Sequence, residues 1–226
     1  MTLKIFEKIR NLKYYLFPFK AAQDLSVLRK FKDDKKNPSN PLNKFGMRCF
    51  SQTDEDGITI EIVKRLKIKK GIFVEIGSGT GLQNNTLILS SMRWSGVWVD
   101  VEGPIVDVKK SKRLKFIKKF ITKENIVDTI NTGLSDYENK NIDLLSVDID
   151  GNDFHVTEEI LKKNIHPKVL VIEINQKFPP PVEFIANYDP KSKNSFGGDY
   201  HSASLTSYAK MLKIYGYTPI CCTLIM

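Results

Sequence analysis

The sequence predicts a doubly wound, Rossmann-like α/β fold, a mostly parallel sheet with helices on both faces. Three observations point there. An apolar run, Gly71-Ile72-Phe73-Val74, leads into an acid and then into alternating glycines, Glu75-Ile76-Gly77-Ser78-Gly79-Thr80-Gly81. Apolar, β-branched runs alternate with helical segments through the rest of the chain, the pattern of βα units around a sheet covered on both sides. Several of these runs end in acids: Glu75, Asp100, Asp148 with Asp150, and Glu173. Ligands of open α/β sheets bind beyond the carboxyl ends of the strands, so chemistry is expected at these acids.

The elements follow in order. Residues 1–30 carry Leu3, Ile5, Phe6, Ile9, Leu12, Tyr15 and Leu16 at near-helical spacing, with Lys4, Lys8, Arg10 and Lys13 between them. A basic amphipathic helix of this kind packs on the chain's own main domain, on a second copy of the chain or on an anionic membrane. Residues 32–44 read as a polar linker. Residues 1–50 are thus an extension, and 51–226 the main domain. Thr53 and Asp56 open a helix carrying Ile58, Ile60, Ile62, Val63 and Leu66, which ends near Lys67–Lys70 as the helix dipole favours. Strands are expected at 72–76, 97–101, 116–121, 142–149, 169–174 and 218–224. Helices are expected at 86–94, 104–111, 123–132, 154–163 and 204–215, the last stopped by Gly216.

The 226 residues suit one α/β domain with an extension. Net charge is +9, but the only arginines are Arg10, Arg29, Arg48, Arg65, Arg93 and Arg113. Bidentate readout of nucleic acid favours arginine, so nucleic acid is not the expected partner. Cys49, Cys221 and Cys222 form no C-x-x-C pair, and His155, His166 and His201 are scattered, which argues against zinc. Cys221 and Cys222 read as buried thiols of a reducing compartment. The first apolar run, Tyr14–Phe19, is short and broken by Pro18, so no spanning helix or leader is expected. The chain reads as cytoplasmic, with residues 1–30 a candidate contact at the inner membrane face or with another copy.

The glycine spacing selects among nucleotide-like cofactors. A dinucleotide turn needs its third glycine after two intervening residues, and Leu82 stands there. The acid-G-x-G-x-G form instead resembles the first motif of class I S-adenosylmethionine-dependent methyltransferases, whose cofactor carries a sulfonium, an ammonium and a carboxylate but no phosphate. Glu75 then lies near the positive groups, and Gly77, Ser78, Gly79 and Gly81 allow close backbone approach. Asn85 and Thr86 cap the next helix, touch the cofactor's amino-acid end, or both. Asp100 and Glu102 compete to accept the ribose hydroxyls, Asp100 preferred because it directly follows the apolar run.

Asp148 and Asp150 share one side of a strand, about 7 Å apart. Glu173 and Asn175 share a side of the next. Four oxygen donors at one rim suit Mg²⁺ or Mn²⁺, and equally a hydrogen-bonded polar cluster. A calcium-loop register through Asp148, Asp150, Asn152 and Glu159 fails at Asp153, where glycine is required. His201, in a loop before the last helix, is a candidate general base. Residues 178–198 form a long insert, a lid or a substrate wall.

Together these segments resemble the FkbM-like methyltransferases, a class I S-adenosylmethionine-dependent group. The resemblance covers about 51–222. It rests on Ser51-Gln52-x-x-Glu55-Asp56, Phe73-Val74-Glu75-Ile76-Gly77-Ser78-Gly79 with Asn84-Asn85-Thr86, and Trp94-Ser95-Gly96-Val97-Trp98-Val99-Asp100. Asp143 to Phe154, Val171-Ile172-Glu173-Ile174-Asn175 and Ser202-Ala203-Ser204-Leu205 complete it. It implies a seven-stranded methyltransferase fold and methyl transfer, usually to a hydroxyl of a sugar or related metabolite. Glu75, Gly77, Gly79 and Asp100 would bind the cofactor, and Asp148 and Asp150 would lie at the reaction centre. That fold ends in two antiparallel strands, whereas the sequence offers only 218–224. Either the chain is C-terminally truncated, or the extension or another subunit covers the edge.

The expected activity is therefore O-methylation of a glycan or related hydroxylated metabolite, with Asp148, Asp150, His201 or a bound metal handling the proton. Two rivals stand beside it. One is a nicotinamide-dependent oxidoreductase. The other is a non-catalytic adaptor with a decayed cofactor pocket that holds a membrane or protein partner.

Overall fold

The computed structural model describes residues 40–105, 107–191 and 200–223. The helix expected over 1–30 and most of the linker lie outside them. The chain separates into Met1–Gly46 and Met47–Met226. In the first unit, a 3-10 turn at Pro41–Phe45 is capped by Asn40, whose side chain accepts from the Leu42 amide.

The second unit holds five parallel strands: β1 Ile72–Ile76, β2 Ser95–Asp100, β3 Leu114–Lys118, β4 Leu144–Val147 and β5 Val169–Ile172. Their order is β3-β2-β1-β4-β5. The order reverses between β1 and β4, and that switch point is where the carboxyl ends splay into a crevice. Among the described residues five helices accompany them: α1 Glu55–Arg65, α2 Leu87–Ser91, α3 Ile126–Leu134, α4 Asp153–Lys162 and α5 Leu205–Ile214.

Alternation along the strands sorts the helices onto two faces. Val74, Ile76, Val97, Val99, Leu145 and Val147 pack against Ile126 and Ile130 of α3 and Val156 and Ile160 of α4. Phe73, Trp98 and Leu144 point the other way, onto Val63 of α1 and Ile88 and Leu89 of α2. Tyr208, Met211 and Leu212 of α5 pack on Phe154 and Leu161 of α4. Each fully buried large aliphatic side chain contributes about 1.5–3 kcal/mol. The sheet is therefore held from both sides, and only its ends are open to chemistry.

Asp143 ties β4 to β1. Its Oδ2 accepts from the Ile72 amide at 2.9 Å, and its Oδ1 accepts from Lys168 Nζ at 2.6 Å. Asp143→Ala leaves a buried amide without a partner and is expected to cost about 1–3 kcal/mol. Lys168→Ala, at a side chain 60% exposed, is expected to cost less than about 1 kcal/mol. Urea unfolding midpoints of the two variants measure the difference.

Several expected elements differ. The helix over 104–111 reduces to a 3-10 turn at Val108–Lys110. The Ile105 amide is drawn to Thr80 O, and Ser111 Oγ accepts from the Arg113 and Leu114 amides, which ends the turn. Residues 218–223 form no strand. Pro219 removes a ladder donor, and the segment is held by Tyr217 Oη donating to Pro167 O and Thr223 Oγ1 to Glu55. Cys221 is half-buried and Cys222 exposed, so the thiols are not buried in an apolar strand. Thr53 and Asp56 do not pair at the start of α1. Thr53 donates to Glu55, while Asp56 Oδ2 gathers the amides of Cys49, Phe50 and Ser51 at 2.6–2.9 Å.

Candidate functional site

The loop leaving β1 is a tight bend in which Gly77, Gly79 and Gly81 all have positive φ. A Cβ on Gly77 would stand 1.6 Å from Asp148 O, so only glycine lets this bend lie against the end of β4. A Cβ on Gly79 would meet nothing within 4 Å, so open space faces this residue. Gly81 lies against the Trp98 ring.

Four amides of the loop are committed internally. Gly77 and Ser78 donate to Val99 O, Gly81 donates to Ser78 O, and Gly79 donates to Asp100 Oδ2 at 2.7 Å. None of these four N–H groups is left for a phosphate, whereas an anion-binding turn works by presenting free ones. Ser78 is 3% exposed, and its Oγ has no partner among the described residues. Asp100, at the end of β2, accepts from Gly79 and from the Glu102 amide and keeps lone pairs for further donors. The Glu102 side chain is exposed. Asp100, of the two competing acids, is the one bound to the loop.

Glu75 is completely buried. Its Oε1 accepts from the Asn85 amide at 2.8 Å and its Oε2 from Thr86 Oγ1 at 2.5 Å, while Trp98 Nε1 donates to Thr86 Oγ1. Burial pushes its carboxyl up to about 7, the bonds from Thr86 and Asn85 oppose the rise, and Asp148 adds repulsion. Glu75 therefore closes the loop onto β1. Neither Thr86 nor Asn85 caps α2 with its side chain, because Thr86 is engaged by Glu75. Asn84 Oδ1 accepts from the Leu87 amide, and Asn85 Nδ2 donates to Ser146 Oγ.

Beside the loop, Asp148, Asp150 and Glu173 bring one carboxylate oxygen each within 4.8 Å of one another. Burial, then the charges of Asp153 and Asp150, raises Asp148. Burial, then the charge of Asp148, raises Glu173 further. Like charges this close do not both ionise freely, and the Asp148–Glu173 pair keeps a proton near neutrality. Asp150 adopts φ +54 as the chain turns from β4 into α4. Asp153 holds that turn, accepting from the Ile149 and Gly151 amides at 2.7 and 2.8 Å. It too is raised, by burial above all. Among the described residues no ion pair reaches Glu75, Asp148, Asp153 or Glu173.

Asn175 does not join the donors as expected. Its Nδ2 donates to His201 O and its Oδ1 accepts from the Lys177 amide, so it clamps two loops together. The Ser202 amide donates to Gly151 O, which sets the His201 loop against the Asp150 turn. His201 Nδ1 is buried and has no partner among the described residues. The described part of the insert is anchored to the same turn: Asn152 exchanges bonds with Asp189, and the His155 ring meets Ala186 O at 2.8 Å. Phe178 and Phe184 stack at 4.0 Å, near an exposed Tyr200.

Sequence reasoning missed Asp153 and Asn84. Asp153 was visible as an acid in the first turn of a helix. Asn84 differs from Asn85 in nothing the sequence displays.

No protein-family model and no curated protein matches the chain. Among solved structures, that of a "putative hemolysin" from Lactococcus lactis matches at 14% identity and a TM-score of 0.32, over 50% of this chain and 53% of that one. The chain thus spans about half the length of that structure.

Proposed function

We propose that this chain is an S-adenosylmethionine-dependent O-methyltransferase of the FkbM-like kind, acting on a hydroxyl of a glycan or related metabolite. One observation carries the reading. An acidic pocket whose Asp148 and Glu173 meet no paired cation among the described residues adjoins a glycine loop whose Gly77, Ser78, Gly79 and Gly81 amides are already spent. Such a pocket favours a cationic, phosphate-free ligand over a dinucleotide.

The residues present fit that cofactor. The open space before Gly79 receives its amino-acid half, Asp100 takes the ribose hydroxyls, and the carboxylates of Asp148 and Asp150 attract its positive groups. When bound, S-adenosylmethionine supplies the methyl group. The chain's own work is to hold acceptor and cofactor in contact, which accounts for most of such a rate gain, and to manage one proton. Asp148, raised toward neutrality by burial, suits the role of base toward the acceptor hydroxyl. His201, with its unpartnered Nδ1, is the alternative. The three carboxylates within 4.8 Å also fit Mg²⁺ or Mn²⁺, which would add Lewis-acid activation at the same place.

Calorimetric titration with S-adenosylhomocysteine tests the reading. The expected result is binding that Asp100→Ala weakens about tenfold or more, the loss of charge-assisted bonds to the ribose. Mg²⁺ should leave this affinity unchanged or raise it, and Glu173→Gln should abolish any Mg²⁺ effect. Silence with this ligand together with heat on adding NAD⁺ would overturn the assignment.

A further inference from the structure

The end of the sheet opposite the crevice is rich in exposed cations. Each strand is entered through exposed cations. Lys69 and Lys70 precede β1, Arg93 precedes β2, Lys112 and Arg113 precede β3, and Lys140 precedes β4. None of these six has an ion pair among the described residues. Lys168 precedes β5, where it is bound to Asp143. The exposed acids at this end are Asp136, paired with Lys115, and Glu138. Five strands at about 4.8 Å spacing make a basic face roughly 19 Å across. Cations at helix ends complement the helix dipole, but Lys69, Lys70, Lys112, Arg113 and Lys140 lie outside any helix and need another reason to cluster.

Apolar side chains stand exposed at the same end. Leu66 follows α1, Met92 follows α2 and Ile214 closes α5, at 48%, 37% and 80% exposure. α5 reaches this end because Tyr217 Oη donates to Pro167 O, just before β5. A face that mixes lysines with exposed aliphatic side chains matches an anionic bilayer, where ammonium groups meet headgroups and apolar tips enter the acyl boundary. Nucleic acid fits less well. Two of the six cations are arginines, and aliphatic tips offer no π-face to a base.

We infer that the amino-terminal end of the sheet docks on an anionic lipid surface. Docking by this end leaves the crevice facing solvent. The inference is independent of the chemistry proposed for the crevice.

Co-sedimentation of the full chain with vesicles of phosphatidylcholine, with and without phosphatidylglycerol, tests it. Binding is expected only with phosphatidylglycerol, weakening with salt. The combined variant Lys69→Ala, Lys70→Ala, Lys112→Ala should bind at least about tenfold more weakly. Lys118→Ala, Lys119→Ala, Lys191→Ala removes equal charge from exposed positions elsewhere and should stay within about twofold of the parent. Ile214→Ser should weaken binding while the charges remain. All six lysines are exposed, and unchanged urea midpoints verify that the variants fold. The inference fails if the parent ignores phosphatidylglycerol, or if the first variant binds like the parent. It also fails if both triple variants lose equally, or if a single-stranded oligonucleotide binds tighter than vesicles at the same salt.

Discussion

Without ligand, the protein is expected to lose about 3 kcal/mol of stability as pH rises from about 4.5 to about 7, through Glu75 alone. The carboxyl is raised from its ordinary 4.5 to about 7, chiefly by complete burial. The folded state therefore holds a proton that the unfolded chain has already released. A raised group stabilises fully below its unfolded value, and that contribution drains away as pH climbs to its folded value. Asp148, Asp153 and Glu173 are raised in the same direction and for the same first cause, so the decline continues past neutrality. Marginal stabilities of 5–15 kcal/mol make a loss of this size easy to see. Urea midpoints across the range measure it. Glu75→Gln should flatten the profile up to neutrality, because glutamine has no proton to lose there. It also keeps an acceptor for the Asn85 amide and turns a donor toward Thr86 Oγ1. Mg²⁺ or S-adenosylhomocysteine should flatten the remainder by compensating the charge. A profile that is flat without ligand would contradict the raised state of these buried carboxyls, and one unmoved by Glu75→Gln would show that Glu75 is not the group that releases the proton.

The parts of this molecule legible in the sequence are those set by local pattern. The run Ile72–Ile76 alternates between two apolar faces, and the structure uses both, Phe73 toward α2 and Val74 toward α3. The bend at Gly77 was visible because spacing and residue type together fix backbone geometry. That Asp148, Asp150 and Glu173 converge followed from βα order, since neighbouring parallel strands end on one rim. What stayed hidden depends on partners that distance along the chain does not reveal. Asn175 looked like a ligand by its register, yet the loop carrying His201 and Ala203 claims its amide, 26 residues away. Asp56 looked like part of a helix cap and instead serves three amides upstream of the helix. The run 218–224 had strand composition, but Pro219 and the side-chain tethers of Tyr217 and Thr223 hold 218–223 without a ladder. The basic end was invisible for a different reason. Its cations are scattered from Lys69 to Lys140 and become one surface only when the strands lie side by side.

Alanine at Gly77 and alanine at Gly79 should separate folding from ligand binding. At Gly77, φ is +88 and an added methyl would sit 1.6 Å from the carbonyl oxygen of Asp148. Both sides of that clash are backbone, so no rotamer change relieves it. The loop must leave β4, and Glu75, Asn85 and Thr86 lose their mutual bonds with it. Gly77→Ala is expected to cost about 4 kcal/mol or more and to yield little folded protein. At Gly79, φ is +53 and the methyl would meet nothing within 4 Å. The cost there is left-handed strain alone, about 1–2 kcal/mol, and the variant should fold with a modestly lower urea midpoint. Its methyl projects into the space assigned to the cofactor's amino-acid half. S-adenosylhomocysteine should therefore bind Gly79→Ala at least about tenfold more weakly, the effect of filling a site that the ligand needs open. Measuring both variants matters, because loss of binding by Gly77→Ala alone says only that the loop is broken. A folded Gly79→Ala protein that binds the ligand as tightly as the parent would place the ligand elsewhere, even if the parent binds it well.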